Sequence, residues 1–188
     1  MVLAFHCIFS TYGFWLPNDP RGSGSDYVAQ PDLRRFGPAT KTESRRSVAA
    51  SPHDHVQRLA AKKSLRFPPV ELTGRQALAV VKGFANACGE GEYRVYACAV
   101  LPNHVQLVIG RHDRSIRRIV GHLKSRATSQ LKVEGLWADQ QGPVWGDHGW
   151  NVFLMDRPAV ERAIKYVENN PEKDGKRPQR WSIVTPFE

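Results

Sequence analysis

The chain predicts an α+β fold, an antiparallel sheet with helices mainly on one face in a ferredoxin-like order. Three observations predict it. Apolar runs rich in β-branched and aromatic residues recur at residues 2–11, 93–101, 104–110 and 151–155. Helical periodicities occupy 73–88, 115–133 and 158–170. The pair Pro102-Asn103 makes a tight turn that joins two of the runs as a hairpin. The order β-α-β-β-α-β-α then suits one sheet packed on helices.

Residues 2–11 form the first strand. Their start, Val2-Leu-Ala-Phe-His-Cys-Ile-Phe9, is apolar but has no basic leader and no small-residue cleavage site, so it reads as a strand rather than a signal peptide. Glycine and proline break the pattern from Tyr12. Residues 23 to about 69–70 show little periodicity and few large apolar residues, the mark of a long irregular insertion in a single domain spanning 1–188. Only residues 53–63 suggest a short helix there. Such a segment is either functional or a disordered loop.

Regularity returns at Thr73, a candidate N-cap, with Ala77, Leu78, Val80, Val81, Phe84, Ala85 and Cys88 at helical spacing. Residues 93–101 are nearly continuously apolar, as in a buried strand, and the hairpin turn leads into 104–110. Ser115 is placed to cap a second helix with the stripe Ile116, Ile119, Val120, Leu123, Ala127 and Leu131; Arg117, Arg118, Lys124 and Arg126 are expected on its other face. Residues 137–150 read as a Gly- and Trp-rich loop before a short strand at 151–155. Asp156 caps a third helix, which Asn170-Pro171 is expected to stop. Residues 181–185 suit a last strand.

The formal net charge is +9, which favours a polyanionic partner, nucleic acid before an anionic membrane surface. Three cysteines, Cys7, Cys88 and Cys98, form no CxxC pair and read as small buried apolar residues of a reducing compartment. No apolar run reaches a membrane span, so a cytoplasmic protein, nucleoid-associated when bound to DNA, is expected.

The chemistry lies in two segments. His104 and Gln106 are two apart on a strand and share a face; Tyr166 and Asn170 are four apart on a helix and share a face. If that helix covers that strand, the His104 imidazole and the Gln106 and Asn170 carbonyls form a metal site beside a phenol. Nitrogen and oxygen ligands with an open position suit Mg²⁺ or Mn²⁺, the imidazole favouring Mn²⁺. A tyrosine hydroxyl with one divalent metal can cut a phosphodiester and stay joined to one end. Singly, each residue has a plainer role: a structural histidine, a half-buried tyrosine anchor, a helix-stopping asparagine.

Together the segments resemble a known family. Ala97-Cys-Ala-Val-Leu-Pro-Asn-His-Val-Gln-Leu-Val-Ile109 resembles the His-hydrophobic-His segment of single-tyrosine HUH transposases, and Tyr166-Val-Glu-Asn-Asn-Pro171 is similar to their nucleophile helix. The basic helix carrying Leu123-Lys-Ser-Arg-Ala-Thr128 and the Trp-rich loop also fit, and the Asn-Pro ending is most similar to the REP-associated tyrosine transposases. The resemblance covers residues 2–16 and 73–184. It implies a ferredoxin-like or RRM-like fold, single-stranded DNA cut at or near hairpins, and a covalent 5′-phosphotyrosine intermediate. It makes Tyr166 the nucleophile and His104, Gln106 and Asn170 the metal ligands.

One departure stands: the second histidine of the pair is Gln106. His148 or His6 is available to stand in, though no spacing points to either. Phosphate contacts are expected from Arg117, Arg118, Lys124 and Arg126, and base stacking from Trp145, Trp150 and Tyr12. A solvated face and core anchors are the competing roles for these two sets. Relatives act with the tyrosine in its own subunit or across a homodimer, so both arrangements stay open. Three functions follow in order: an active single-strand DNA transposase or strand transferase, a catalytically idle DNA-binding derivative, and a membrane-surface or scaffolding protein.

Overall fold

The computed structural model describes residues 1–19, 27–28, 30–39 and 53–188. Four strands form one antiparallel sheet: β1 (Ala4–Thr11), β2 (Val95–Val100), β3 (His104–Gly110) and β4 (Trp145–Leu154), in the order β2-β3-β1-β4. This is the expected α+β class with a ferredoxin-like strand order, but the helices, expected mainly on one face, lie on both. Helices α2 (Gly74–Gly91) and α3 (Ile116–Val133) cover one face. Helices α4 (Arg157–Glu168) and α5 (Asn170–Lys173) lie on the other, α4 packed mainly against β2 and β3.

Alternation along β1 divides the residues between the faces. Phe5, Cys7 and Phe9 enter the core with Leu107, Ile109, Phe84, Ile119 and Leu123. Phe9 is fully buried, with edge-to-face rings from Phe84 and Trp145 at 6.2 and 5.4 Å. On the opposite face, Ala4, Ala97, Ala99 and Val108 pack on Val160, Ala163 and Val167 of α4. All three cysteines are free; burial pushes the Cys88 thiol up to about 11 and those of Cys7 and Cys98 higher still.

Two of the three predicted caps form. Thr73 and Gln76 make a reciprocal capping box on α2, and the Asp156 carboxylate accepts from the Ala159 amide at the start of α4. Ser115 makes no side-chain cap on α3, although that helix starts where expected and all six stripe residues are buried.

Four local expectations are corrected. Leu78 and Ala85 face outward, because the buried stripe of α2 runs through Ala77, Val80, Val81, Phe84 and Ala87. Strand β4 begins at Trp145 inside the expected loop, since pairing with β1 (Thr11 to Trp145, Phe9 to Gly149) imposes extended backbone on a poor strand sequence. Gly149 suits that pairing: a Cβ there would meet the Ile8 carbonyl oxygen at 2.8 Å. Pro171 does not end the helical path; α4 breaks at Asn169 and Pro171 falls in the first turn of α5, where its missing N–H costs nothing. Residues 181–185 contribute one parallel bridge, Val95 to Val184, rather than a strand. The Gln179 amide instead donates to and accepts from the Val100 backbone, both at 2.8 Å, and shields that sheet edge.

The insertion is partly regular. Helix α1 (His55–Lys63) is capped by Asp54, and a 3₁₀ turn at Pro31–Phe36 helps bury Leu16, Leu33 and Ala61 together. The rest of the expected insertion, within residues 20–26, 29 and 40–52, lies outside the described residues. No described helix is long and apolar enough to cross a membrane.

Helices α2 and α3 cross at Gly83, where a Cβ would stand 2.5 Å from Ala127 Cα and 2.6 Å from the Arg126 carbonyl oxygen. Alanine normally stabilises a helix interior by roughly 1 kcal/mol over glycine. Here the clash is with backbone, so Gly83→Ala is expected to destabilise by about 1–3 kcal/mol in urea unfolding. A neutral or stabilising result would mean the crossing is looser than this.

Candidate functional site

The site forms where β3 begins. Thr11 at the end of β1 anchors the preceding turn: its backbone N–H donates to the Asn103 carbonyl at 3.0 Å, and its hydroxyl donates to the Val70 carbonyl at 2.7 Å with the Asn103 carbonyl 3.0 Å away. The Asn103 side-chain oxygen then lies 2.8 Å from His104 Nδ1. This bond places the imidazole proton on Nδ1 and turns the Nε2 lone pair inward. Phe14 stacks nearly parallel to the ring, centroids 5.7 Å apart.

Two amides converge on that lone pair. Gln106 Nε2 is 3.2 Å and Asn170 Nδ2 3.3 Å from His104 Nε2. Both amides are buried, 4% and 8% exposed. Strand and helix thus bring His104, Gln106 and Asn170 together as expected. Tyr166 is 45% exposed at the rim, and its ring meets His6 edge-on at 5.7 Å. His6 Nε2 in turn lies 3.2 Å from Gln106 Oε1. The pairing of β1 with β3 makes this contact: His6 lies diagonal to Gln106 across the two strands, on the same face. Burial pulls the His6 pKa below 6.5, against the opposing effect of its Gln106 hydrogen bond. The imidazole is therefore neutral around pH 7. The side chain of His148, the other substitute considered, lies outside the described residues.

The donor set has a definite character. Among the described residues, no group of three or more His, Cys, Asp or Glu could hold a metal. What converges instead is one imidazole lone pair and two carboxamides. One lone pair cannot accept two good hydrogen bonds. A half-turn of each amide presents oxygens at nearly the same points, and those oxygens with Nε2 make a hard-cation donor set with open positions.

Lys173 of α5 places its ammonium 4.3 Å from the centre of the Tyr166 ring, and Lys165 is exposed one residue before it. Neither lysine stands out in the sequence. Lys173 lies past a proline, and only the extra turn of α5 carries it back to the phenol.

The expected DNA-contact residues separate into distinct environments. Arg117 and Arg118 are exposed on α3, on the opposite side of the sheet from His104. Arg126 pairs with Glu90 at 2.8 Å. Lys124 is not on the solvated face: it donates to the Gly146 carbonyl at 2.7 Å and lies 5.1 Å from the Phe9 ring centre. Trp145 is a core anchor, 8% exposed, its indole N–H directed at the Lys124 carbonyl and the Thr128 hydroxyl. Tyr12 is buried to the same degree and packs on Phe67. Burial therefore corrects the stacking roles expected for Tyr12 and Trp145. Trp150 differs. It pairs with Ile8, which pairs with Gln106, so it shares the site face and is half-buried.

Comparison with known proteins bears on family and fold. The model of the family described as "Transposase IS200 like" matches residues 71–170 of the 188, just over half the chain. The solved structure of a REP-associated tyrosine transposase bound to a REP hairpin is similar in fold: TM-score 0.51, 11% identity, 92% of this chain and 68% of that chain covered. A candidate transposase from Deinococcus radiodurans R1 gives 0.42 at 12% identity, covering 90% of this chain and 91% of that one, too loose to bear on the fold. No curated protein sequence matches.

Burial lowers the Lys124 pKa from 10.5 to about 8, with nearby Asp147 opposing it. Between those values the unfolded chain holds a proton that the folded one has released, so Lys124 makes stability rise with pH there. Chemical denaturation of wild type and Lys124→Met from pH 8 to 10.5 checks this; wild type should gain on the variant as pH rises. A constant difference would contradict the shift.

Proposed function

Since the chain belongs to the IS200-like transposase family, we propose that it is a metal-dependent single-strand DNA endonuclease and strand transferase with Tyr166 as its nucleophile. The observation that carries this reading is the convergence of the Gln106 and Asn170 amides on His104 Nε2 at 3.2 and 3.3 Å, next to the tyrosine's own contact with His6. His104 Nε2 and the two amide oxygens would hold Mg²⁺ or Mn²⁺. When bound, such a cation draws charge off the phosphoryl oxygens. Neutral amides bind it weakly, so a substrate phosphate is needed to complete the shell.

The chain's own residues do the rest. The Tyr166 phenolic oxygen bonds to phosphorus while the bond from phosphorus to the 3′ oxygen breaks. The phenol loses its proton, and the departing 3′ oxygen gains one. The 5′ phosphate remains as an ester on Tyr166. A free 3′-OH, of the same or another strand, reverses the step, so the ester favours rejoining over hydrolysis. Lys173 beside the phenol offers a positive charge to the incoming phosphate, and Asn103 keeps the His104 proton on the nitrogen facing away from it.

Hairpin-bearing single-stranded DNA is the substrate class we carry over from the solved relative, in which a REP hairpin is bound. Trp150, on the site face, is the aromatic placed to stack an unpaired base. Arg117 and Arg118 would hold phosphates on the far side of the sheet, outside the cleavage point. Tyr166 contacts His6 of its own chain, which favours cleavage within one subunit; a homodimer with exchanged tyrosines is the alternative arrangement. A second reading rests on Gln106: without a second imidazole, the protein binds such DNA but no longer cuts it.

Incubation with hairpin-bearing single-stranded DNA and Mn²⁺ tests both. Wild type should yield protein-linked DNA, and Tyr166→Phe should yield none. Equal product from Tyr166→Phe would overturn Tyr166 as nucleophile. Salt-sensitive binding without product, converted to cleavage by Gln106→His, would establish the idle reading.

A further inference from the structure

We propose that His6 is a positioning residue of the cation site: it holds the Gln106 amide with its oxygen, rather than its nitrogen, toward His104 Nε2. The proposal rests on the cation reading above and supplies what that reading lacks at Gln106.

An imidazole at residue 106 would offer one inward lone pair with no ambiguity. A glutamine there has two ends of nearly equal shape, and only the oxygen binds a cation. Some neighbour must choose between them. The side chain is 4% exposed, so bulk water is a poor candidate. Ile8, directly opposite Gln106 in the register, is apolar. The polar neighbours at the two ends of the amide are His104 Nε2 and His6 Nε2, each at 3.2 Å.

Two satisfied arrangements follow. In the one seen here, the Gln106 amide donates to His104 Nε2, and His6 Nε2–H donates to Gln106 Oε1. A cation on His104 Nε2 repels the amide N–H. A half-turn about the terminal bond then puts Oε1 on the cation and the N–H₂ on His6. His6 completes the exchange by carrying its proton on Nδ1 and accepting at Nε2. Few side chains can be donor and acceptor at the same atom; a neutral imidazole does so by moving one proton between its nitrogens. Without such an acceptor, the turned amide would bury an N–H with no partner.

The fold holds His6 for this task. It sits mid-strand in β1 opposite Val108, and the Tyr166 ring packs edge-on against it. The same imidazole therefore touches the nucleophile and the one ligand that departs from the family pattern. In the sequence it is a single histidine in an apolar run, indistinguishable there from a structural one.

The test is Mn²⁺ binding, read by electron paramagnetic resonance on the purified full chain, with His104→Ala identifying the signal that belongs to the site. His6→Ala should weaken that binding by about 10–100-fold, the range for loss of a partner that orients a ligand. His6→Gln should bind within a few-fold of wild type, because its carbonyl accepts the turned N–H. The decisive comparison uses Gln106→His, which has no amide to orient. In that background His6→Ala should cost roughly threefold or less, a coupling that a general structural role would not produce. Equal losses in both backgrounds, or no loss in the wild-type background, would overturn the proposal. If His6→Ala fails to fold, His6→Phe replaces it: it fills the space but cannot accept, and binding equal to His6→Gln would be equally fatal. Should wild type show no signal that His104→Ala removes, the cation reading itself falls and takes this inference with it.

Discussion

Seven successive residue pairs, Ala4 to Ser10 against Gly110 to His104, join β1 to β3, and both halves of the molecule depend on that register. It sends Phe5, Cys7 and Phe9 into the core under α2 and α3. The same alternation sends His6 to the other face, beside Gln106. Slipping the pairing by one residue would turn Phe9 out of its contacts with Phe84 and Trp145 and bury His6 in their place. The hydrophobic demand of one face therefore sets the polar constellation of the other.

The two faces are covered unequally, which is why a site exists. Two helices of 18 residues seal one side. The other has α4, of 12 residues, and the four-residue α5. The break at Asn169 lets Asn170 reach inward to His104 while Lys173 returns over the Tyr166 ring. A continuous helix would carry these residues further along one axis. Buried amides are tolerated there because each bonds to an imidazole, Gln106 to His6 and His104 and Asn170 to His104.

Charge is divided in the same manner. The arginines of α3 lie behind the sheet, with Arg126 tied to Glu90, whereas Lys173 lies over the Tyr166 ring. A polyanion reaching Tyr166 meets Lys173 first. Among the described residues, these basic side chains thus lie on both sides of the sheet.

Much of this was legible without coordinates. Period-two and helical patterns identify the strands and the two long helices, because core burial imposes those periods directly. The spacings of His104 with Gln106 and Tyr166 with Asn170 are local, so their shared faces follow from backbone geometry alone. Tertiary structure decided the remainder. Exposure of Tyr12, Lys124 and Trp145 is set by what packs on them, and aromatic or charged type does not reveal it. The start of β4 depends on a partner strand, not on its own Gly- and Asp-containing sequence. His6 lies 98 residues before His104 (104 − 6), and only strand pairing, which acts across any separation, sets it against Gln106.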